Sequence, residues 1–112
     1  MTALDSSSIE VVEAAETDKS ILRHLLELYQ HDLSEFDGRD VNGHGLYGYR
    51  YLDQYWVDVD RRPFLIRVDG QWAGFALVRH SFSGPTEMAE FFVLRRFRRA
   101  GVGRRSIPAS IR

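Results

Sequence analysis

The sequence predicts a mixed α/β fold, a mainly antiparallel sheet with flanking helices, and three observations carry that expectation. An Asp69-Gly70 pair separates two runs rich in β-branched and aromatic residues, a strong hairpin signal. Ile21, Leu22, Leu25, Leu26, Tyr29 and Leu33 recur at helical spacing and form one apolar stripe. A further strand-like segment, Thr86 to Leu94, runs into a turn rich in glycine and arginine. At 112 residues the chain has room for one domain.

Residues 1–8 are polar and serine-rich and read as a flexible leader. Ile9 to Ala14 (IEVVEA) is a short strand candidate. Thr17 or Asp18 offers an N-cap to a helix over 18–33, where an aspartate also suits the positive end of the dipole. Residues 34–48 hold four glycines among polar residues and read as a loop. The aromatics Tyr47, Tyr49, Tyr51, Tyr55 and Trp56 follow, with a short helix expected near 50–57. They serve either as core packing or as a wall for an acceptor substrate. Arg62 to Val68 and Gln71 to His80 are the arms of the hairpin. Phe64, Ile66 and Val68 share one face of the first arm, and Phe75 and Leu77 share a face of the second. Ser83-Gly84-Pro85 makes a turn into the last strand, Thr86 to Leu94, whose apolar residues fail to alternate, as in a strand buried on both faces.

With 44% apolar and 28% charged residues, composition excludes a disordered, collagen-like or membrane-embedded chain. The absence of cysteine excludes thiolate chemistry and cysteine-ligated zinc, and no apolar run is long enough to cross a bilayer. No secretory signal is visible, so the cytoplasm is the expected location. His24, His31, His44 and His80 show no metal-ligand spacing, so no metal is expected. The net charge of −1 conceals an asymmetry: residues 1–94 hold 16 acidic and 8 basic residues, whereas 95–112 hold 7 arginines and no acid. Such a split marks a local anion site or a basic tail.

The basic stretch is the informative one. A strand ending at Leu94 leads into Arg95-Arg96-Phe97-Arg98-Arg99-Ala100-Gly101-Val102-Gly103-Arg104-Arg105. Unpaired N–H groups at a glycine turn, a helix start behind it and guanidinium donors together suit a phosphate or pyrophosphate. The triphosphatase pattern GxxxxGK[ST] is absent, and the dinucleotide pattern GxGxxG fails at Ser106. Glu90-Phe91-Phe92-Val93-Leu94 followed by Arg98-Arg99-Ala100-Gly101-Val102-Gly103 resembles the acetyl-CoA signature of the GNAT superfamily of N-acetyltransferases, a strand followed by [QR]-x-x-G-x-[GA]. The resemblance covers residues 9–105.

The resemblance implies an N-acetyltransferase that moves acetyl from acetyl-CoA to a primary amine on a small molecule or peptide. Amides around Arg99 to Arg104 (Arg99, Ala100, Gly101, Val102, Gly103 and Arg104), with Arg98, would hold the pyrophosphate. Phe92, Val93 and Leu94 would pair through their main chain with the pantetheine arm. Glu90 or Glu87 would take the proton from the amine; simple alternation sends them to opposite faces, and Glu90 is preferred.

The resemblance weakens at 106–112, a short tail unlike the family, in which Pro108 allows about one helical turn. The sequence-based expectation is therefore a partial, incomplete GNAT-like fold, truncated after the pyrophosphate loop and impaired in activity. The alternative is a non-catalytic remnant or a module that binds an anion or a partner. Nucleic acid is disfavoured because the first 94 residues, with 16 acids against 8 bases, would repel phosphate. No membrane partner is expected. An uncovered edge at 86–94 would favour homo-oligomers.

Overall fold

The computed structural model describes residues 8–80 and 83–98. In chain order it contains β1 (Ile9–Glu13), a 3₁₀ turn (Glu16–Asp18), α1 (Lys19–Asp37), a second 3₁₀ turn (Leu52–Trp56), β2 (Arg61–Val68), β3 (Gln71–Arg79), β4 (Glu87–Val93) and the single turn α2 (Arg95–Arg98). The four strands form one sheet in sequential order, every neighbouring pair antiparallel. The mixed α/β expectation holds.

The β2–β3 turn follows the Asp69-Gly70 signal. Both residues have positive φ, 51° and 82°, as a two-residue turn matched to the sheet twist requires. Asp69 also fastens the start of the sheet: its N–H donates to the Ser8 carbonyl, and its Oδ1 accepts the Ser8 N–H, both at 2.9 Å. Ser8 therefore belongs to the fold rather than to the leader, whose other residues, 1–7, lie outside those described.

Helix α1 is longer than its apolar stripe. It runs on to Asp37 and stops at Gly38, whose N–H donates to the Ser34 carbonyl at 3.0 Å. Phe36 in the last turn is 83% exposed, so burial does not hold that turn. At the other end, the expected side-chain cap is replaced by the 3₁₀ turn. Asp18 Oδ2 accepts the Ala15 N–H at 3.0 Å and makes no bond to the first turn of α1.

Leu22, Leu25 and Leu26 of α1 pack on Leu65, Phe75, Leu77 and Phe92, with Leu52 and Tyr55 of the second 3₁₀ turn joining that cluster. The other face buries Ile66, Val68, Ala73, Val93 and Phe97, and beside them Phe64, Ala76 and Val78. Phe64-Leu65-Ile66 thus reads as a continuous apolar run because β2 is buried on both sides. In β4 only Phe92 and Val93 are buried; Glu87, Met88 and Ala89 are exposed, which corrects the expectation of burial on both faces along its length.

Two local features set the position of β4. Gly74 lies opposite Val93, and a Cβ at that position would run into the Phe92 carbonyl oxygen, with the Phe92 carbonyl carbon and Val93 Cα at 3.0 Å. Only glycine admits so close an approach. Farther along, the β3 partners step from Glu90 (opposite Leu77) to Met88 (opposite Val78), leaving Ala89 as the extra residue of a bulge.

Candidate functional site

A cleft of about 610 Å³ opens between α1, the loop that follows it and β4. Helix α1 contributes Tyr29, Gln30 and Leu33; the loop contributes Arg39 and the stretch Tyr47 to Tyr51; β4 contributes Glu90. The volume suits a small-molecule ligand.

Glu90 is the chemical centre of this cleft. Its Oε1 accepts the Tyr29 hydroxyl at 2.6 Å, and its Oε2 accepts the Tyr49 hydroxyl at 3.2 Å. An ionised carboxylate offers about four lone-pair sites, so about two remain for a ligand. The Tyr29 ring is held below by Phe75 at 5.5 Å, edge to face, and by Phe92 at 5.6 Å, so apolar packing aims its hydroxyl at the carboxylate. Burial pushes the Tyr29 phenol well above its ordinary value, and the Glu90 hydrogen bond and charge add to the effect. Burial does the same to Tyr49, reinforced by Tyr55 and Glu90. Both hydroxyls therefore stay protonated at neutral pH and donate, and among the described residues no cationic side chain forms an ion pair with Glu90.

The bulge at Ala89 alters the alternation along β4. Glu90 lies opposite Leu77 and Glu87 opposite Arg79, and Leu77 and Arg79 share a pleat face. Glu87 and Glu90 are therefore brought to the same face, where unbroken alternation separates them. Glu87 is exposed and does not line the cleft, whereas Glu90 does.

The loop wall is held by a carboxylate from the helix. Glu27 Oε1 accepts the Tyr47 N–H at 2.8 Å, and Oε2 accepts the Gly48 N–H at 2.7 Å. Gly48 has φ +73°, a conformation other residues rarely adopt, and it lets two successive N–H groups converge on one carboxylate. A second cavity of about 320 Å³ lies behind this wall and shares Gly48 and Tyr49 with the first. Tyr47, Tyr49 and Tyr51 form the wall, whereas Tyr55 is core. Tyr55 thus follows the packing reading, while Tyr47, Tyr49 and Tyr51 line the cleft.

At the far end of β4, Leu94 N–H donates to the Ala73 carbonyl at 2.7 Å, so the main-chain groups of Val93 and Phe91 turn to the outer edge, whereas the Leu94 N–H and the Phe92 groups, also expected to meet the pantetheine arm, face β3. Phe92 and Val93 are buried side chains on opposite faces, and Leu94 packs beside both clusters. Arg98 folds back over this end. Its Nε donates to the Val93 carbonyl at 2.6 Å, its Nη2 meets Asp32 Oδ2 of α1 at 2.7 Å, and its guanidinium lies 5.4 Å from the Phe92 ring centre. Arg95 and Arg96 are exposed. The remaining residues expected to cradle a pyrophosphate, Arg99, Ala100, Gly101, Val102, Gly103 and Arg104, lie outside the described residues.

A model of the acetyltransferase (GNAT) family matches residues 22–111. The chain belongs to the GNAT acetyltransferase family. That match takes in α1 from its fourth residue, the cleft loop, the hairpin, β4 and the arginine-rich stretch, so every residue that lines the cleft lies within it. No curated protein matches the chain. Among the described residues, no helix is long and apolar enough to cross a membrane.

The sequence offers Glu90 as a candidate and Tyr49 as a wall residue, but gives no place in the cleft to Tyr29, Gln30, Arg39 or Arg50. Tyr29 reads as one more member of the apolar stripe; the signal is that a tyrosine placed among leucines needs a partner for its hydroxyl. Glu27, Arg39 and Arg50 carried no spacing signal, because each meets the cleft through a loop whose course the pattern does not encode.

Proposed function

We propose that this chain is an N-acetyltransferase that moves the acetyl group of acetyl-CoA to a primary amine held in the cleft beside Glu90. The observation that carries the reading is the Glu90 carboxylate, set between two neutral tyrosine hydroxyls on the strand that leads into the arginine-rich turn.

The residues present suit acetyl-CoA in two respects. Outward main-chain groups of Phe91 and Val93 sit on an edge that is unpaired among the described residues, and Arg95, Arg96 and Arg98 stand at its end. The Val93 carbonyl is engaged by Arg98, so the Val93 N–H and the Phe91 groups are those left to hold the pantetheine arm. By sequence, residues 99–104 would hold the pyrophosphate. Bound there, acetyl-CoA supplies an activated thioester.

Glu90 attracts the acceptor as its ammonium ion; at 4 Å and an effective dielectric near 20 such a pair gains about 4 kcal/mol before desolvation. Glu90 then takes a proton, directly or through one water, and frees the nitrogen lone pair. The nitrogen forms a bond to the acetyl carbon, the C–S bond breaks, and the sulfur leaves with the electron pair and takes up the second proton that the nitrogen gives up as it becomes an amide. Tyr29 and Tyr49 hold the carboxylate in place throughout.

The test is a titration with CoA followed by thermal shift, paired with a thiol-release assay over a panel of amines. Gly101→Glu, which puts bulk and negative charge into the expected cradle, should abolish the shift. Equal CoA affinity in both proteins removes the glycine turn from the reading.

A further inference from the structure

The cleft carries charge of both signs, and the arrangement narrows the acceptor. Resting on the acetyl-transfer reading above, we propose that the acceptor is a small amine that also carries a carboxylate on an apolar or aromatic body, an amino acid in chemical class. Its ammonium group sits at Glu90 and its carboxylate at Arg50 and Arg39.

Gln30 of α1 lines the cleft. This side chain is 3% exposed, and a buried amide is costly unless its groups are satisfied. Its Nε2 donates to the Leu26 carbonyl at 3.3 Å, and its Oε1 accepts from Arg39 Nη1 at 2.9 Å. A buried polar group is thus committed to holding an arginine at the cleft. Asp37 lies 3.5 Å from Arg39 Nη2 and offsets part of that charge.

Arg50 has no such offset. Among the described residues it has no carboxylate partner; its guanidinium lies 5.6 Å from the Tyr51 ring centre. Resting on an aromatic face, the planar fork keeps its N–H groups at the edge, the geometry that pairs with a carboxylate. Both arginines line the same cavity as Glu90. Between the charged ends stand Tyr49 and Tyr51, 6.0 Å apart and edge to face, a surface for an apolar or planar body. A plain amine would use Glu90 and leave the arginines idle. A plain acid would meet the arginines and be repelled by Glu90.

The test compares phenylalanine, phenethylamine (the same body without the carboxylate) and 3-phenylpropionate (without the amine). Calorimetry measures their binding to the full chain without CoA, and thiol release measures turnover with acetyl-CoA. Phenylalanine should bind about 10-fold or more tighter than either analogue, as one added charge-assisted pair allows. Arg50→Gln, at an exposed position, should erase the advantage of phenylalanine over phenethylamine. Phenethylamine binding as well as phenylalanine overturns the proposal, as does absence of binding by all three at millimolar concentration. Fast turnover of phenethylamine and phenylalanine alike overturns it while leaving acetyl transfer standing. Selective phenylalanine binding without thiol release upholds the ligand class and removes the acetyl-transfer reading.

Discussion

Removing the Glu27 carboxylate should loosen the wall of the cleft without unfolding the domain. Its two oxygens hold the Tyr47 and Gly48 N–H groups at 2.8 and 2.7 Å, distances typical of charge-assisted bonds. Bonds to a charged partner contribute about 1.5–3 kcal/mol each. Gly48 is exposed and water can replace its bond, so the pair together is worth about 2–3 kcal/mol. For a domain of this size Glu27→Ala should lower Tm by roughly 8–12 °C. Glu27→Gln keeps one acceptor but turns an amide donor toward the other N–H, so it should recover about half of that loss. Because Gly48 adjoins Tyr49, which binds Glu90, the KM for the amine should rise while CoA affinity stays at the wild-type value. The assays are differential scanning calorimetry, hydrogen exchange at the Tyr47 and Gly48 amides, and amine titration. Wild-type Tm together with unchanged exchange in Glu27→Ala would refute the reasoning.

Gly74→Ala should be far more damaging than its one added methyl implies, because that methyl meets the Phe92 main chain rather than a side chain that can move. A loss of about 3 kcal/mol or more, or no soluble protein, is expected in urea denaturation; a wild-type midpoint would show that β4 shifts freely. Spectrophotometric titration of tyrosine should find Tyr29 and Tyr49 ionising well above the ordinary phenol value in the folded chain, burial being the first cause in both. The unfolded chain releases these protons near pH 10 while the folded chain keeps them, so stability falls as pH rises above about 10. Tyr29 and Tyr49 ionising at the ordinary phenol value in the native protein would contradict this. Asp32→Asn breaks only a half-exposed pair with Arg98, so it should cost less than about 1 kcal/mol, and more at low salt than at high; a loss unaffected by salt would point to packing instead.

Much of the architecture was legible because it rests on local chemistry. Asp69-Gly70 specified its hairpin through backbone conformation, and the leucine spacing of α1 specified a face to bury. The strands then stack in chain order, since the Asp69-Gly70 turn joins β2 to β3 and only residues 80–86 separate β3 from β4. What escaped was relational. The extra residue at Ala89 exists only with respect to the register of β3, yet it decides which face Glu87 takes. Glu90 meets Tyr29 across 61 residues and Tyr49 across 41, contacts that no spacing rule anticipates. Helix α1 outran its stripe because Gly38, not the last leucine, is where the backbone can turn.

The most direct test of the account is the thiol-release rate of Glu90→Gln against wild type, measured with an amine the wild type uses and with CoA binding monitored in parallel. Glutamine keeps the size of the side chain and an oxygen for a tyrosine hydroxyl, but it can neither attract an ammonium ion nor accept its proton. The account predicts a fall in kcat/KM of about 100-fold or more, with CoA affinity unchanged. A kcat/KM within about twofold of wild type, with the fold intact, would contradict it, because a group whose loss costs less than about 0.5 kcal/mol of transition-state stabilisation is not the base.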